Sequence, residues 1–136
     1  YCQGYEKRGA GNGAAREDNQ GAEEEIKIMC IFCKIINREI PTDFIYENDD
    51  VVVFADIKPL APVHYLVVPK KHIQSIINLQ SNHQTIISKI IFAAKTVAEK
   101  LNLKGYKLVF NVGREGGQII DHLHLHLLGG WTPVRE

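Results

Sequence analysis

The feature that most constrains the fold is the segment HLHLHLL, residues 122–128, in which three histidines alternate with leucines. Alternate side chains along a β-strand point to opposite faces of the sheet. The pattern therefore predicts a strand over residues 122–128 whose three imidazoles share one face and whose leucines share the other. The chain has six histidines among its 136 residues, so half of them fall on this one predicted face.

Three interpretations compete for the row formed by His122, His124 and His126. The first is a polar strand face that happens to be rich in histidine, which strict alternation of three makes a poor explanation. The second is a three-histidine metal site, but side chains on one strand face run parallel, about 7 Å apart at each step of two residues, and do not converge on one ion. The third is a catalytic strand whose imidazoles serve as nucleophile, proton carrier and donor to a phosphate.

The rest of the chain predicts an α+β fold. A short helix is expected at residues 31–36, and a long helix with an apolar stripe is expected between a capping box at Ser81 and Gln84 and a stop at Gly105. Short connections favour a five-stranded antiparallel sheet with a helix on one face. The predicted strands are residues 43–47, 51–57, 64–69, 106–112 and 122–128, with a glycine-rich turn at 113–117.

Composition divides the chain into two parts. Residues 1–28 are rich in Gly, Ala, Glu and Asn and show no apolar period, so they cannot bury enough surface to offset the entropy of ordering. They are expected to be a disordered arm or a non-native extension. Residues 29–136 are expected to form one domain, whose core draws on a chain that is 45% hydrophobic.

Charge and cysteine content narrow the class of protein. The 16 basic and 16 acidic residues balance, which argues against a partner such as duplex nucleic acid. No apolar run approaches the roughly 18 residues that cross a bilayer, and the start does not resemble a signal peptide, so no membrane partner is expected. Three cysteines, one of them the isolated Cys2, make a poor disulfide scaffold. We expect a cytoplasmic protein.

The pair Cys30-x-x-Cys33 has three interpretations. It could supply two ligands to zinc, but a closed zinc site needs four. A redox pair would normally follow a strand and open a helix in a thioredoxin-like unit, which this chain lacks. The remaining interpretation is two buried, reduced cysteines in an apolar helix.

Four segments together resemble the histidine triad superfamily of nucleotide hydrolases and transferases. They are CIFCKIINREIP, VVVFADIKPLAPVHYLVVPKKHI, GYKLVFNVGREGGQ and HLHLHLLGG, and the resemblance covers about residues 29–130. The GGQ before the triad and the LLGG after it are similar to the Hint branch, the nucleoside phosphoramidate hydrolases, and differ from the dinucleoside polyphosphate hydrolase branch.

The resemblance implies a mechanism. A neutral middle histidine, His124, would attack the α-phosphorus of an adenosine or guanosine 5′-phosphoramidate, the amine would leave, and water would release the nucleoside monophosphate from a nucleotidyl-histidine. An unperturbed imidazole pKa of about 6.5 keeps such a nucleophile largely neutral at pH 7. His126 would contact the phosphate and leaving group, and His64 would be another active-site histidine.

The resemblance also implies a purine nucleotide site. Asp56 would accept hydrogen bonds from the ribose hydroxyls, since both carboxylate oxygens can accept. The base pocket would have the apolar walls Ile31, Phe32 and Ile57. The phosphate and its surroundings would be met by Asn111, Gln118 and the glycine turn that includes Gly117. Taken alone, these residues could equally be a turn-forming aspartate, ordinary core residues and ordinary loop polarity.

A structural zinc and a homodimer complete what the resemblance implies. The dimer would pair the long helix and a central strand across a twofold axis. The zinc ligands would be Cys30, Cys33, His72 and His122.

Two positions depart from the Hint pattern. Ile119 stands where the branch usually has a Ser or Thr that assists the departing amine, and Asp121 stands where an aromatic is common. These departures keep two alternatives open, a nucleotide-binding regulatory protein with little turnover and a dinucleoside polyphosphate hydrolase.

Overall fold

A computed structural model describes residues 30–132 of the chain. The predicted arm at residues 1–28 lies outside the described residues. None of the described helices is long and apolar enough to span a membrane. The helices are α1 (Ile31–Ile36) and α2 (Gln84–Lys100), and the strands are β1 (Phe44–Glu47), β2 (Val51–Ala55), β3 (Val63–Pro69), β4 (Tyr106–Val109) and β5 (Leu125–Gly129).

The five strands form one antiparallel sheet in the order β1-β2-β3-β5-β4. This arrangement, with one short and one long helix, confirms the predicted α+β class. Strands β1 and β4 lie at the two edges. Strands β2, β3 and β5 have a hydrogen-bonded neighbour on each side, so β1 and β4 are the strands of the described sheet that have an unpaired edge.

The β1–β2 hairpin forms where the sequence predicts it. Asn48 Oδ1 accepts hydrogen bonds from the backbone N–H groups of Asp50 and Val51, at 2.8 and 2.9 Å. This side-chain contact replaces a backbone hydrogen bond in the turn, which is why Asn is favoured there. The hairpin delivers Asp56 to the end of β2 next to the middle of the sheet.

The long helix α2 ends differently from the prediction. Asn102, not Gly105, adopts the left-handed conformation after the last turn, with φ of 59°. Leu103 N–H donates to the Ala98 carbonyl at 2.9 Å, which closes the helix in a Schellman motif. At the other end, Gln80 N–H donates to His83 Nδ1 at 3.0 Å in a capping box that begins a 3₁₀ turn, Ser81–His83, leading into α2. The capping box therefore lies at Gln80 and His83 and not at the predicted Ser81 and Gln84.

The sheet is covered on both faces. Helix α2 packs on one face over Val53, Val67 and Leu125, and helix α1 packs on the other over Phe54 and Leu66. Since both faces are buried, β2 is apolar along most of its length and shows little alternation. The predicted catalytic histidines lie on the face of the sheet that is covered by α1.

The histidine row is only partly a strand. Strand β5 begins at Leu125, so His122 and His124 precede the sheet ladder, and the predicted start at residue 122 is wrong. The alternation of faces still holds, because Leu123, Leu125 and Leu127 all pack in the core cluster beneath α2. A backbone hydrogen bond of 2.7 Å from Leu123 N–H to the carbonyl of Ile73 holds the segment before the strand.

Candidate functional site

A cavity of about 280 Å³ lies on the α1 side of the sheet. Three of the predicted catalytic histidines, His64, His124 and His126, line it together with Asp56. Strand β3 supplies His64 and strand β5 supplies His126, and the register places His126 opposite Leu66 of β3. The other lining residues are Phe32, Lys58, Leu60, Leu66, Asn111, Gly117, Ile119 and Ile120.

His124 is arranged as a neutral nucleophile. Its Nδ1 lies 2.7 Å from the carbonyl oxygen of His122, so Nδ1 carries a proton and donates it. That tautomer leaves the lone pair on Nε2. The pKa of His124 is lowered to about 4, chiefly by burial and also by the nearby imidazoles of His126 and His122, against the opposing backbone hydrogen bond to His122. The ring is therefore uncharged at neutral pH.

His64 and His126 form a hydrogen-bonded pair. Leu60 N–H donates to His64 Nδ1 at 3.0 Å, so the proton of a neutral His64 is on Nε2. That proton can be donated to His126 Nδ1, 2.9 Å away, which places the proton of a neutral His126 on its own Nε2. Burial lowers the pKa of both imidazoles. The side-chain amide of Asn111 lies 3.4 Å from His126 Nε2.

Asp56 forms a turn and also lines the cavity. Its Oδ1 accepts the Lys58 N–H at 2.9 Å, as expected of a turn-forming aspartate. Its Oδ2 lies 3.4 Å from His64 Nε2, and the residue also lines the cavity. The carboxylate thus both shapes the turn after β2 and faces the histidine pair.

Three of the residues predicted to contact the nucleotide, Gln118, Ile57 and Ile31, do not line this cavity. Gln118 is 2% exposed and does not line the cavity. Its amide is engaged with the backbone, accepting from Gly113 N–H at 3.0 Å and donating to the carbonyls of Gln74 and Ile120 at 2.8 and 2.9 Å. Gln118 therefore organises the glycine turn.

The other two residues outside the cavity lining, Ile57 and Ile31, are apolar. Ile57 is 64% exposed and is not part of the cavity wall, because the chain leaves the sheet after Ala55. Ile31 packs half-buried against the α1 side of the core and also does not line the cavity. Of the predicted walls, only Phe32 is in place, and its ring lies edge-on to His124 with centroids 5.2 Å apart.

Sequence reasoning missed several residues of the cavity wall. Leu60 and Lys58 belong to the loop between β2 and β3, and Leu66 and Ile120 lie beneath the histidines. Leu66 could have been found, because it shares a strand face with His64 at a spacing of two residues. The loop residues carry no comparable periodic signal.

The four predicted zinc ligands also come together. The candidate ligand atoms of all four lie within 4.8 Å of one another. His122 Nε2 lies 2.9 Å from the carbonyl oxygen of Pro69 and donates to it, so Nδ1 faces the cysteines with its lone pair. Hydrogen bonding to Cys33 lowers the pKa of Cys30 to about 2 against the effect of burial, with His122 and His72 contributing further.

The spacing of these atoms fits a tetrahedral ion. Bond lengths of about 2.3 Å to sulfur and about 2.0 Å to nitrogen place ligand atoms about 3.6 Å apart for sulfur–nitrogen pairs and about 3.3 Å apart for nitrogen pairs. The observed distances are 3.4 Å from Cys30 Sγ to His122 Nδ1, 3.2 Å from Cys33 Sγ to His72 Nδ1, and 3.1 Å between the two imidazole nitrogens. The donor set is therefore suited to zinc.

The chain is similar to proteins of one family. Residues 29–132 match the family described as scavenger mRNA decapping enzyme C-term binding. The purine nucleoside phosphoramidase of Escherichia coli is 42% identical over 102 residues, which cover 74% of this chain and 86% of that protein.

Solved structures show the same fold. A HIT family hydrolase from Legionella pneumophila has a TM-score of 0.74 at 44% identity, covering 76% of this chain and 94% of its own. A zinc-bound histidine triad family protein from Mycobacterium smegmatis has a TM-score of 0.67 at 25% identity, covering 76% of each chain.

Proposed function

Since the chain belongs to the histidine triad family of hydrolases, we propose that it cleaves purine nucleoside 5′-phosphoramidates through a nucleotidyl-histidine. The observation that carries this proposal is His124, a buried neutral imidazole whose Nδ1–H is held by a carbonyl and whose Nε2 is free. A phosphoramidase 42% identical to this chain supports the choice of phosphorus–nitrogen bond.

The first step forms one bond and breaks one. His124 Nε2 donates its lone pair to the α-phosphorus, and the phosphorus–nitrogen bond breaks. The departing amine keeps the two electrons of the broken bond. The modified ring is then cationic, and the carbonyl oxygen of His122, 2.7 Å from Nδ1, stabilises that charge. The departing amine takes one proton from solvent and accepts a hydrogen bond from the neutral His126, whose ring is linked to His64 by a 2.9 Å hydrogen bond.

The second step returns the enzyme to its starting state. Water attacks the phosphorus on the nucleotidyl-histidine, the bond to His124 Nε2 breaks, and the nucleoside monophosphate leaves. The attacking water gives up one proton, which replaces the proton that the amine took from solvent in the first step. The reaction is therefore balanced without a redox partner or a catalytic metal.

The remaining cavity residues suit a nucleotide. Asp56 Oδ2 is available to ribose hydroxyls at the open end of the cavity, and Phe32 gives the base an apolar contact. Lys58 adds a positive charge to the lining, which favours an anionic phosphate. We assign AMP or GMP conjugates as the substrate class.

Release of AMP from an adenosine phosphoramidate tests the proposed function. We expect turnover in the wild type and its loss in His124→Ala, whereas His83→Ala, a histidine outside the cavity, should behave as wild type. Preferred cleavage of a dinucleoside polyphosphate would replace the proposal with hydrolysis of that substrate. Tight AMP binding without turnover of either substrate would instead indicate a regulatory nucleotide-binding protein.

We further propose that the cysteine and histidine cluster holds a structural zinc ion. The four ligands would close the coordination shell, so the ion would supply stability and leave no open position for substrate. It would join α1, through Cys30 and Cys33, to His122 at the entry to β5. Thiolate ligands of this kind suit a reducing compartment, in line with the expected cytoplasmic location.

A homodimer is the third element of the proposal. Both the long helix and the edge strand β4 carry exposed apolar side chains, with Phe92 66% exposed and Leu108 37% exposed. Sedimentation should give twice the chain mass, and Phe92→Glu should shift the protein toward the monomer. Ile77→Glu, at a residue that is 72% exposed outside these elements, is the matched control. A monomeric wild type would contradict the proposal.

A further inference from the structure

We propose that Arg114 and Asp121 form a clasp that positions the nucleophilic histidine, a role that rests on the proposed hydrolase function. Arg114 Nη1 and Nη2 donate to Asp121 Oδ1 and Oδ2 at 2.9 and 3.0 Å, in the two-bond geometry that pairs a guanidinium with a carboxylate. Arg114 Nη1 also donates to the carbonyl oxygen of Gln118 at 2.6 Å. One side chain therefore ties together both ends of the segment 114–121.

The segment held by the clasp forms part of the cavity wall. Gly117, Ile119 and Ile120 all line the cavity beside His124. Asp121 directly precedes His122, whose carbonyl oxygen accepts the Nδ1–H of the nucleophile. A displacement of Asp121 would therefore also move the carbonyl group of His122, which orients the imidazole of His124.

The start of β5 explains why such a clasp is needed. Because the strand begins at Leu125, His122 and His124 lie before the sheet ladder and are not fixed by it. The hydrogen bond from Leu123 N–H to the Ile73 carbonyl holds this stretch at one point, and the buried amide of Gln118 holds it at another. His122 Nε2 adds a hydrogen bond to the carbonyl of Pro69, and the clasp adds a further attachment at Asp121, between Gln118 and His122.

The two side chains of the clasp differ in burial, and this difference determines what the loss of Arg114 would do. Asp121 is 7% exposed, whereas the Arg114 side chain is 59% exposed and remains in contact with water. A carboxylate shielded from water is unfavourable unless it is paired and hydrogen-bonded. Without Arg114, the carboxylate of Asp121 would turn toward water and draw the adjoining backbone with it. The nucleophile would then lose its alignment while the far end of the cavity stayed unchanged.

A double-mutant cycle tests the clasp. Arg114→Gln and Asp121→Asn should each lower kcat for an adenosine phosphoramidate by about tenfold, because small misplacements of a nucleophile are costly in the transition state. KM and the dissociation constant of AMP should stay within about threefold. The double variant should lose no more than the worse single variant, since the two residues act together. Arg114→Lys keeps the positive charge but lacks the two parallel N–H donors of the guanidinium, so its kcat should lie between those of Arg114→Gln and the wild type.

A matched control separates the clasp from the loss of any arginine. Arg38 pairs with Glu47 at 2.7 Å outside the cavity, so Arg38→Gln should keep the wild-type kcat. Hydrogen exchange followed by mass spectrometry needs no substrate and therefore tests the clasp apart from the proposed function. In Arg114→Gln, the amides of residues 114–124 should exchange faster, while those of α2 should not change.

The outcomes are distinct. Single variants that keep kcat within about twofold of the wild type, or losses that multiply in the double variant, would overturn the clasp. Exchange that rises throughout the protein would also overturn it, because the pair would then act on global stability. If the wild type cleaves no phosphoramidate, the proposed function fails, and the exchange comparison still decides whether Arg114 holds the segment.

Discussion

Acidification to pH 5 should leave the reaction of His124 almost unchanged. Burial lowers the pKa of this imidazole to about 4, so about nine-tenths of it remains neutral at pH 5. An exposed histidine with a pKa of about 6.5 would be only about 3% neutral there, a loss of about 25-fold from pH 7. Since kcat/KM reports the free enzyme, its acid limb should fall below about pH 5.

The assay is AMP release measured under kcat/KM conditions at intervals from pH 4 to pH 8. Circular dichroism and metal content, recorded at each pH, exclude unfolding and metal loss as causes of a decline. An acid limb centred between pH 6 and 7 in folded, metal-loaded protein would refute the reasoning. It would mean that burial does not hold His124 neutral or that another group limits the reaction.

Stability gives a second readout of the same lowered pKa. In the unfolded chain the imidazole binds a proton at about pH 6.5, and in the folded chain only at about pH 4, so stability is retained above pH 6.5 and lost as the pH falls toward 4. Between pH 7 and pH 5, protonation of this imidazole in the unfolded chain should lower the free energy of unfolding by about 2 kcal/mol. Urea unfolding should show this loss in the wild type and a loss smaller by that amount in His124→Gln. Equal losses in both proteins would contradict the lowered pKa.

Two further predictions concern the metal and the leaving group. Protein purified without added zinc should contain about one zinc per chain, and His72→Ala should lower both the metal content and the melting temperature, whereas a wild type without metal would contradict the assignment. Ile119→Ser should raise kcat for phosphoramidates with alkylamine leaving groups by up to about tenfold, because a hydroxyl in the cavity wall can hydrogen-bond the departing amine. It should help little when the leaving group is already good, and equal effects on both substrates would show that Ile119 only packs.

The alternation in residues 122–128 was enough to predict which side chains face the core. Leu123, Leu125 and Leu127 all lie beneath α2 as predicted. Where the strand begins could not be predicted, because strand assignment depends on a hydrogen-bonded neighbour and the β3–β5 register runs only from Val63 opposite Gly129 to Val67 opposite Leu125. The alternating pattern determines which way the side chains point, but it does not determine which residues hydrogen-bond to a neighbouring strand.

In the candidate site, too, some features could be predicted from the sequence and others could not. His64, His124 and His126 were placed together by resemblance to a family, and the structure brings them to one cavity. The hydrogen bonds of Gln118 could not be predicted, because its partners, among them the carbonyl of Gln74, are set by the folded turn and not by the local motif. The exposure of Ile57 could not be predicted either, because an apolar residue after a strand gives no sign of where the chain turns outward.

The most direct test of the account is to find the covalent intermediate. Wild-type protein mixed with an adenosine phosphoramidate and quenched within milliseconds should carry one adenylyl group, and mass spectrometry of its peptides should place that group on His124. The adduct should be absent from His124→Ala, which should still bind AMP because Asp56 and Phe32 remain. An adduct on His122 or His126, or steady turnover in the His124→Ala protein, would contradict the account.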